Sequence, residues 1–243
     1  MIASGLLALW LSAPSYGPSD SPASYSVART AAAREVLLRG DEAAWSGAAA
    51  ISWGPAGHTT TFRAQWNDDG LIVRWDAVDP NPWHTLTERD AHIYKEEVVE
   101  IYIDLDRSGR HYAEIDINPA GTVCDVHVLR PLPMKDGDPP WKGDFSWNLD
   151  GIEARATIDR QGEVVRGWTA IAWLPWRGFA SLPSATVPLP PKAGDRWRFN
   201  VFRIERPHGA DDPEREVVLA AWSPTGIPKF HVASAFRDLV FVR

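Results

Sequence analysis

Residues 79–118, DPNPWHTLTERDAHIYKEEVVEIYIDLDRSGRHYAEIDIN, decide the fold of this chain. Apolar and polar residues alternate from residue 98 to 104 and again from 111 to 118, a period typical of strands with one buried face. The apolar positions are Val99, Ile101, Ile103, Ala113, Ile115 and Ile117. Between the two runs, Gly109 suits the left-handed position of a three-residue hairpin loop. The stretch therefore predicts a β-hairpin that follows a polar loop tipped by Trp83.

The polar face of this hairpin is rich in carboxylates. Pairing across residues 107–109 sets opposite each other Glu100 and Asp116, Tyr102 and Glu114, and Asp104 and Tyr112. Directly opposed side chains lie about 4.5–5.5 Å apart, and like charges at that distance destabilise a sheet. Because such groups are costly to bury without partners, we expect this face to line a concave surface.

The rest of the chain predicts an all-β protein. Further alternating or strand-like runs, bounded by turn residues, cover residues 59–66, 71–78, 123–129, 153–158, 167–173, 197–206, 217–222 and 239–242. We interpret residues 36–45 as a short strand running into a turn, where Asp41 caps one helical turn. Ten or more short strands with only short helical turns indicate an antiparallel β-sandwich, of jelly-roll or immunoglobulin-like type.

Composition narrows the function classes. The 243 residues carry a net charge of −7, which argues against binding of nucleic acid or a membrane surface. The 13 tryptophans exceed what one core needs, so we expect some to form a binding surface. Cys124, the only cysteine, lies on an apolar alternation and excludes an internal disulfide.

The first residues differ from the rest of the chain. The apolar run at residues 2–13 is too short to span a membrane, and a Pro/Ser-rich segment follows it. We interpret residues 1–25 as a signal peptide with a tether, and residues 26–243 as a single domain. The expected location is secreted, periplasmic or at the cell surface, and the expected state is a monomer.

Several segments together resemble the family 9 carbohydrate-binding modules. In chain order they are VLLRGDEAAW, NPW, EEVVEIYIDLD, YAEIDINPAG, GWTAIAWLPW, GDRWRFNVFRIER and WSPT, within residues 36–241. The resemblance implies a β-sandwich that binds sugar non-catalytically, and calcium is held by several members.

By position, the resemblance implies an aromatic clamp of Trp83 and Phe230 over Glu100. The family's arginine, glutamine and asparagine positions read Asp116, Phe202 and Ile227 in this chain, so much of the polar ring is changed.

The candidate ligand-binding residues are therefore Trp83, Glu100, Tyr102, Asp116 and Phe230. Flat aromatic rings bury the apolar C–H face of a pyranose, and carboxylates accept strong hydrogen bonds from its hydroxyl groups. No cofactor is required. A nonstandard calcium site at Asp104 or Asp106 stays open, although Ile115 at the twelfth position excludes an EF-hand.

Three functions fit the sequence. The first is non-catalytic binding of a poly- or oligosaccharide, in support of extracellular glycan use. The second is a cell-envelope structural or interaction domain that has lost sugar binding. The third is a glycan-active enzyme using Glu100 and Asp116, since retaining glycosidases hold two carboxyl groups about 5–5.5 Å apart. Because no catalytic motif is present, we expect no enzyme.

Overall fold

The computed structural model describes residues 23–130 and 141–243. Thirteen strands form within these ranges: β1 (Ser24–Arg29), β2 (Ala50–Trp53), β3 (Thr60–Trp66), β4 (Gly70–Val78), β5 (Val98–Asp104), β6 (His111–Ile117), β7 (Val123–Leu129), β8 (Lys142–Asp144), β9 (Glu153–Gln161), β10 (Val164–Pro175), β11 (Arg196–Glu205), β12 (Val218–Ala221) and β13 (Arg237–Val242). The helical content is small: α1 (Arg34–Leu38), α2 (Glu42–Trp45), and 3₁₀ turns at Ile93–Lys95, Trp176–Ser181 and Ala233–Ala235. The predicted all-β class is confirmed. No helix in these ranges is long and apolar enough to cross a membrane.

The strands form one curled sheet that folds over itself as a sandwich. Its hydrogen-bonded order is β8-β7-β6-β5-β11-β13-β1-β3-β4-β10-β9, with β12 on β11 and β2 on β3. Inward side chains of both halves, such as Ile101 and Ile115 on one side and Trp75 and Trp168 on the other, share a single hydrophobic cluster. The sheet is mixed rather than purely antiparallel, because β1 pairs in parallel with both β13 and β3.

The hairpin β5–β6 has the predicted register. Glu100 lies opposite Asp116, and Tyr102 lies opposite Glu114. The apolar positions of both strands face the shared core. Gly109 has a φ of 69°, the left-handed conformation predicted for the hairpin loop.

The strand predicted from residue 36 is wrong, since the chain forms α1 there, whereas the helical turn predicted after Asp41 forms as α2. Leu37 and Leu38 are consecutive and both buried, which one face of a helix permits and one face of a strand does not. With Trp45 they cover the outer face of the sheet at Ile171 and Trp173. Asp41 occupies the N-cap position of α2 but makes no side-chain cap hydrogen bond.

Three strands were not predicted. The first, β1, begins at Ser24, inside the segment interpreted as a tether, and buries Tyr25 at 2% exposure. The others are β2 and β8. The sequence of residues 131–150, dense in Pro, Gly, Asp and Trp, predicts a long surface loop there instead of a strand. Residues 1–22 of the predicted leader and residues 131–140 of the predicted loop lie outside the described residues.

Most tryptophans serve the core. Of the twelve in the described ranges, ten are buried: Trp45, Trp53, Trp66, Trp75, Trp147, Trp168, Trp173, Trp176, Trp197 and Trp222. The remaining two, Trp83 and Trp141, are half-buried and exposed. The tryptophan content therefore reflects a large aromatic core more than a binding surface.

Candidate functional site

Three carboxylates form the floor of the candidate site. Glu100 on β5 and Glu114 and Asp116 on β6 are 1%, 6% and 0% exposed, because loops cover the outer face of the hairpin. One oxygen from each lies within 4.8 Å of the others. Glu100 and Glu114 line a pocket of about 380 Å³, and Asp116 is enclosed beside them. The expected concave surface is thus a roofed pocket rather than an open face.

Burial changes the protonation of this floor. Loss of hydration raises the pKa of Asp116 well above its usual range, and the nearby Glu100 and Glu114 raise it further. Burial also raises the pKa of Glu100, although a hydrogen bond from Tyr102 opposes the change. The pKa of Glu114 rises to about 8 for the same reason. Near neutral pH the floor holds protons, so its carboxyl groups both donate and accept hydrogen bonds.

Aromatic side chains form the walls of the pocket. They are Tyr94 from the 3₁₀ turn before β5, Trp141 and Phe145 from the segment around β8, and Phe230 and His231 from the loop between β12 and β13. Phe230 stacks on Phe202 of β11 with ring centroids 4.4 Å apart, which fixes its plane. The ring centroids of Tyr94 and Phe145 lie 6.4 Å apart. Pockets of this size and composition are typical of small-ligand sites.

His231 connects the wall to the floor. Its ring lies 3.6 Å from Trp141 and 5.2 Å from Tyr102, between centroids. Its Nδ1 is 2.8 Å from the Tyr112 hydroxyl group, and its Nε2 is 3.8 Å from Glu114. Burial, with a contribution from Arg130, lowers the pKa of His231 to about 3. The ring is therefore neutral and adds no positive charge to the pocket.

Solved structures with the same fold are known. A candidate carbohydrate-binding protein of Bacteroides uniformis ATCC 8492 is 13% identical with a TM-score of 0.66, and the match covers 90% of this chain and 98% of that one. A family 9 carbohydrate-binding module of Caldicellulosiruptor kristjanssonii in complex with cellotriose is 11% identical with a TM-score of 0.56, over 90% and 93%. The corresponding complex with glucose is 12% identical with a TM-score of 0.56, over 90% and 96%. The chain has the family 9 module fold.

Sequence comparison adds one relative. A protein of Arthroderma benhamiae named "Extracellular protein" is 24% identical over 189 residues, which are 75% of this chain and 78% of that protein. No family model matches the chain. The likeness to family 9 modules therefore lies in the fold, as the resemblance of the sequence segments predicted.

Within the family 9 fold, the predicted site residues separate into two groups. Glu100, Tyr102 and Phe230 line the pocket, and Asp116 lies directly opposite Glu100. Trp83 does not line it. Its indole N–H donates to the Arg206 carbonyl oxygen at 2.9 Å, and its backbone N–H donates to Glu97 at 3.2 Å.

Sequence reasoning missed four wall residues: Tyr94, Trp141, Phe145 and His231. The available signals were the position of Tyr94 just before the carboxylate-rich strand and the adjacency of His231 to Phe230. Trp141 and Phe145 carry no signal of this kind, because they lie in an irregular segment far along the chain.

A second buried carboxylate cluster lies near Trp83. Oxygens of Asp79, Glu97 and Glu205 lie within 4.8 Å of one another. The Arg203 guanidinium group donates to Asp79 at 3.0 Å and also to Glu205. Burial and the neighbouring carboxyl groups of Glu205 and Asp79 together raise the pKa of Glu97 to about 11. Burial likewise raises the pKa of Glu205 to about 7, and Arg203 opposes that change.

Both clusters bring three carboxylate oxygens close enough to hold a cation. The hairpin-loop carboxylates proposed for calcium have another role. Asp104 accepts the backbone N–H of Gly109 at 2.8 Å, and Asp106 accepts that of Ser108 at 3.0 Å. These bonds stabilise the loop, and calcium binding at Asp104 or Asp106 stays a prediction.

Proposed function

We propose that the protein binds a carbohydrate non-catalytically in the pocket between the hairpin β5–β6 and the loops that cover it. The observation that carries this proposal is the combination of aromatic walls and a carboxylate floor within one pocket. It rests also on the fold, which this chain shares with modules solved in complex with cellotriose and glucose.

The chemistry of the pocket suits a pyranose ring. The apolar C–H face of the ring would pack on Tyr94 or Phe230, which removes both surfaces from water. The hydroxyl groups would bond to Glu100 and Glu114, each of which has one buried oxygen without a hydrogen-bond partner among the described residues. Hydrogen bonds to such buried groups fix the orientation of the sugar, because leaving the groups unpaired is costly.

The same arrangement argues against hydrolysis. Glu100 and Glu114 lie side by side on one floor, whereas a glycosidase places its two carboxyl groups on either side of the scissile bond. Asp116 is enclosed and does not reach the pocket surface. Under this proposal no bound glycan is cleaved, and the appearance of reducing sugar that depends on Glu100 would overturn it.

The relative named "Extracellular protein" supports a secreted location. With sugar binding in the pocket, a secreted location would place the protein in extracellular glycan use. The net charge of −7 and the acidic pocket agree with a neutral or basic ligand and not with nucleic acid.

A glycan array followed by titration tests the proposal. Tyr94→Ala removes one wall, and truncation of an aromatic anchor typically costs at least about 2 kcal/mol of binding free energy. We expect affinity for the best glycan to fall by about 30-fold, since about 1.4 kcal/mol corresponds to a factor of ten. The melting temperature should change little, because Tyr94 is only half-buried. Unchanged affinity in a folded Tyr94→Ala protein would contradict the proposed site.

A further inference from the structure

The pocket floor contains more carboxyl groups than recognition of a neutral sugar requires. Oxygens of Glu100, Glu114 and Asp116 are buried without a hydrogen-bond partner, and both oxygens of Asp116 are in this state. Among the described residues, the only basic side chain within ion-pair distance of the three is His231, which is neutral. Lys229 lies exposed at the rim. Buried carboxyl groups without a positive partner keep their protons, and a positive group placed beside them favours the ionised form.

The walls favour the same kind of ligand. The face of an aromatic ring attracts a cation placed within about 6 Å of its centre, and tryptophan and tyrosine do so most strongly. Trp141, Tyr94 and Tyr102 all line the pocket whose floor contains the carboxylates. A carboxyl floor and aromatic walls together favour a ligand that carries a positive charge on an otherwise apolar ring.

We propose that this pocket selects amino sugars, whose pyranose ring carries a protonated primary amine, over neutral sugars of the same size. The inference rests on the proposed function and specifies its ligand class. The ammonium group has three donors, which match the unpartnered oxygens of Glu100 and Glu114 and the hydroxyl group of Tyr102. The sugar ring packs on the aromatic walls.

A metal ion fits the pocket less well than an ammonium group. Calcium takes six to eight oxygen ligands at about 2.3–2.6 Å, and aromatic rings supply none. An acidic sugar is disfavoured for the opposite reason, because its carboxylate would approach the buried carboxyl groups of the floor.

Three trisaccharides with the same backbone test the inference by calorimetric titration of the full chain at pH 6. They are cellotriose, the trisaccharide of glucosamine, and its N-acetylated form. They differ in bearing a hydroxyl, an ammonium or a neutral amide group. We expect the glucosamine trisaccharide to bind at least tenfold more tightly than the other two. Added calcium should not compete with it.

Two variants locate the selectivity. In Glu100→Gln and Glu114→Gln, the preference for the glucosamine trisaccharide over cellotriose should fall to about threefold or less. Each variant replaces a carboxyl group that can ionise beside a bound ammonium group with a neutral amide of similar volume. Glu97→Gln is the matched control, because Glu97 is a buried carboxyl group of the other cluster and does not line the pocket. The Glu97→Gln variant should prefer the glucosamine trisaccharide over cellotriose as strongly as the unaltered protein does.

The outcomes separate the two proposals. If cellotriose binds as tightly as the glucosamine trisaccharide, amine selection is wrong and carbohydrate binding stands. If a folded protein binds none of the three but binds another neutral glycan on the array, amine selection is wrong and carbohydrate binding stands. If it binds no glycan at all, both proposals fail. If the preference survives in both pocket variants, the amine is recognised elsewhere and this inference is overturned.

Discussion

Trp83 and Tyr94 differ in role because their polar groups have different partners. The indole and backbone N–H groups of Trp83 are engaged by Arg206 and Glu97, so its ring holds the loop before β5 against β11. We expect Trp83→Ala to lower the free energy of unfolding by about 1–3 kcal/mol, below the value for a fully buried tryptophan. Affinity of the folded protein for its glycan should stay within twofold. Urea unfolding measures the free energy of unfolding, and titration of the same sample measures the affinity. A loss of affinity with unchanged stability would show that Trp83 contacts the ligand.

The Glu114 carboxyl group makes the free energy of unfolding depend on pH. Its pKa is about 8 in the folded protein against 4.5 when unperturbed, so over that range the folded state holds a proton that the unfolded state releases. Stability on this account falls as pH rises from about 4.5 to 8. Glutamine has no such proton, so Glu114→Gln should gain stability relative to the unaltered protein as pH increases, and the gain should level off near pH 8.

Glu97→Gln provides the comparison for Glu114, because its pKa is raised further, to about 11. The relative gain of that variant should keep rising above pH 8. Urea unfolding at pH 5, 6.5, 8 and 9.5 separates the two curves. A stability difference independent of pH for Glu114→Gln would show that its carboxyl group is not protonated in the folded state.

At the scale of elements, the hairpin loop of β5–β6 also supports the pocket wall. Gly109 has a φ of 69°, and a Cβ there would lie 3.0 Å from the Cβ of Ala233, in the loop that carries Phe230. Gly162, between β9 and β10, has a φ of 63° with open space around it. Gly162→Ala should therefore cost only the left-handed strain, about 1–2 kcal/mol.

Gly109→Ala should cost more than Gly162→Ala and should also weaken glycan binding, because it displaces the loop with Phe230. Thermal melts and titrations of both variants measure the difference. Equal stability losses with unchanged affinity would show that the contact with Ala233 does not position the wall.

At the scale of the whole molecule, β1 joins the two halves of the sandwich. The hydroxyl group of Tyr25 donates to the Ala49 carbonyl oxygen at 2.6 Å and accepts the Ala64 backbone N–H at 2.8 Å. Tyr25→Phe leaves that amide unpaired, which should cost about 1–3 kcal/mol. The exposed Ser26→Ala is the control and should stay within about 0.5 kcal/mol.

Because one hydrophobic cluster contains residues of both halves, the loss in Tyr25→Phe should affect the whole molecule. Tryptophan fluorescence and far-ultraviolet circular dichroism should report one coincident transition. Two separate transitions would show that the halves unfold independently.

The sequence by itself determined most of the strands, the hairpin register and the all-β fold class. Side chains in a strand alternate between faces with a period of two, so the pattern from Val98 to Asn118 fixes which residues face the core and which carboxylates meet. The same pattern did not predict α1, where Leu37 and Leu38 pack in one cluster with Ile171 of the sheet.

Only the tertiary structure decided what covers the carboxylates. Tyr94, Trp141, Phe145 and His231 come from three segments distant in sequence, and irregular loops have no periodicity from which their meeting could be predicted. The parallel pairing of β1 is likewise set by long-range contacts with β13 and β3. The loop position of Trp83 made it a candidate for the site. The partners of its N–H groups lie directly after β11 and directly before β5, and they come together only once the chain has folded.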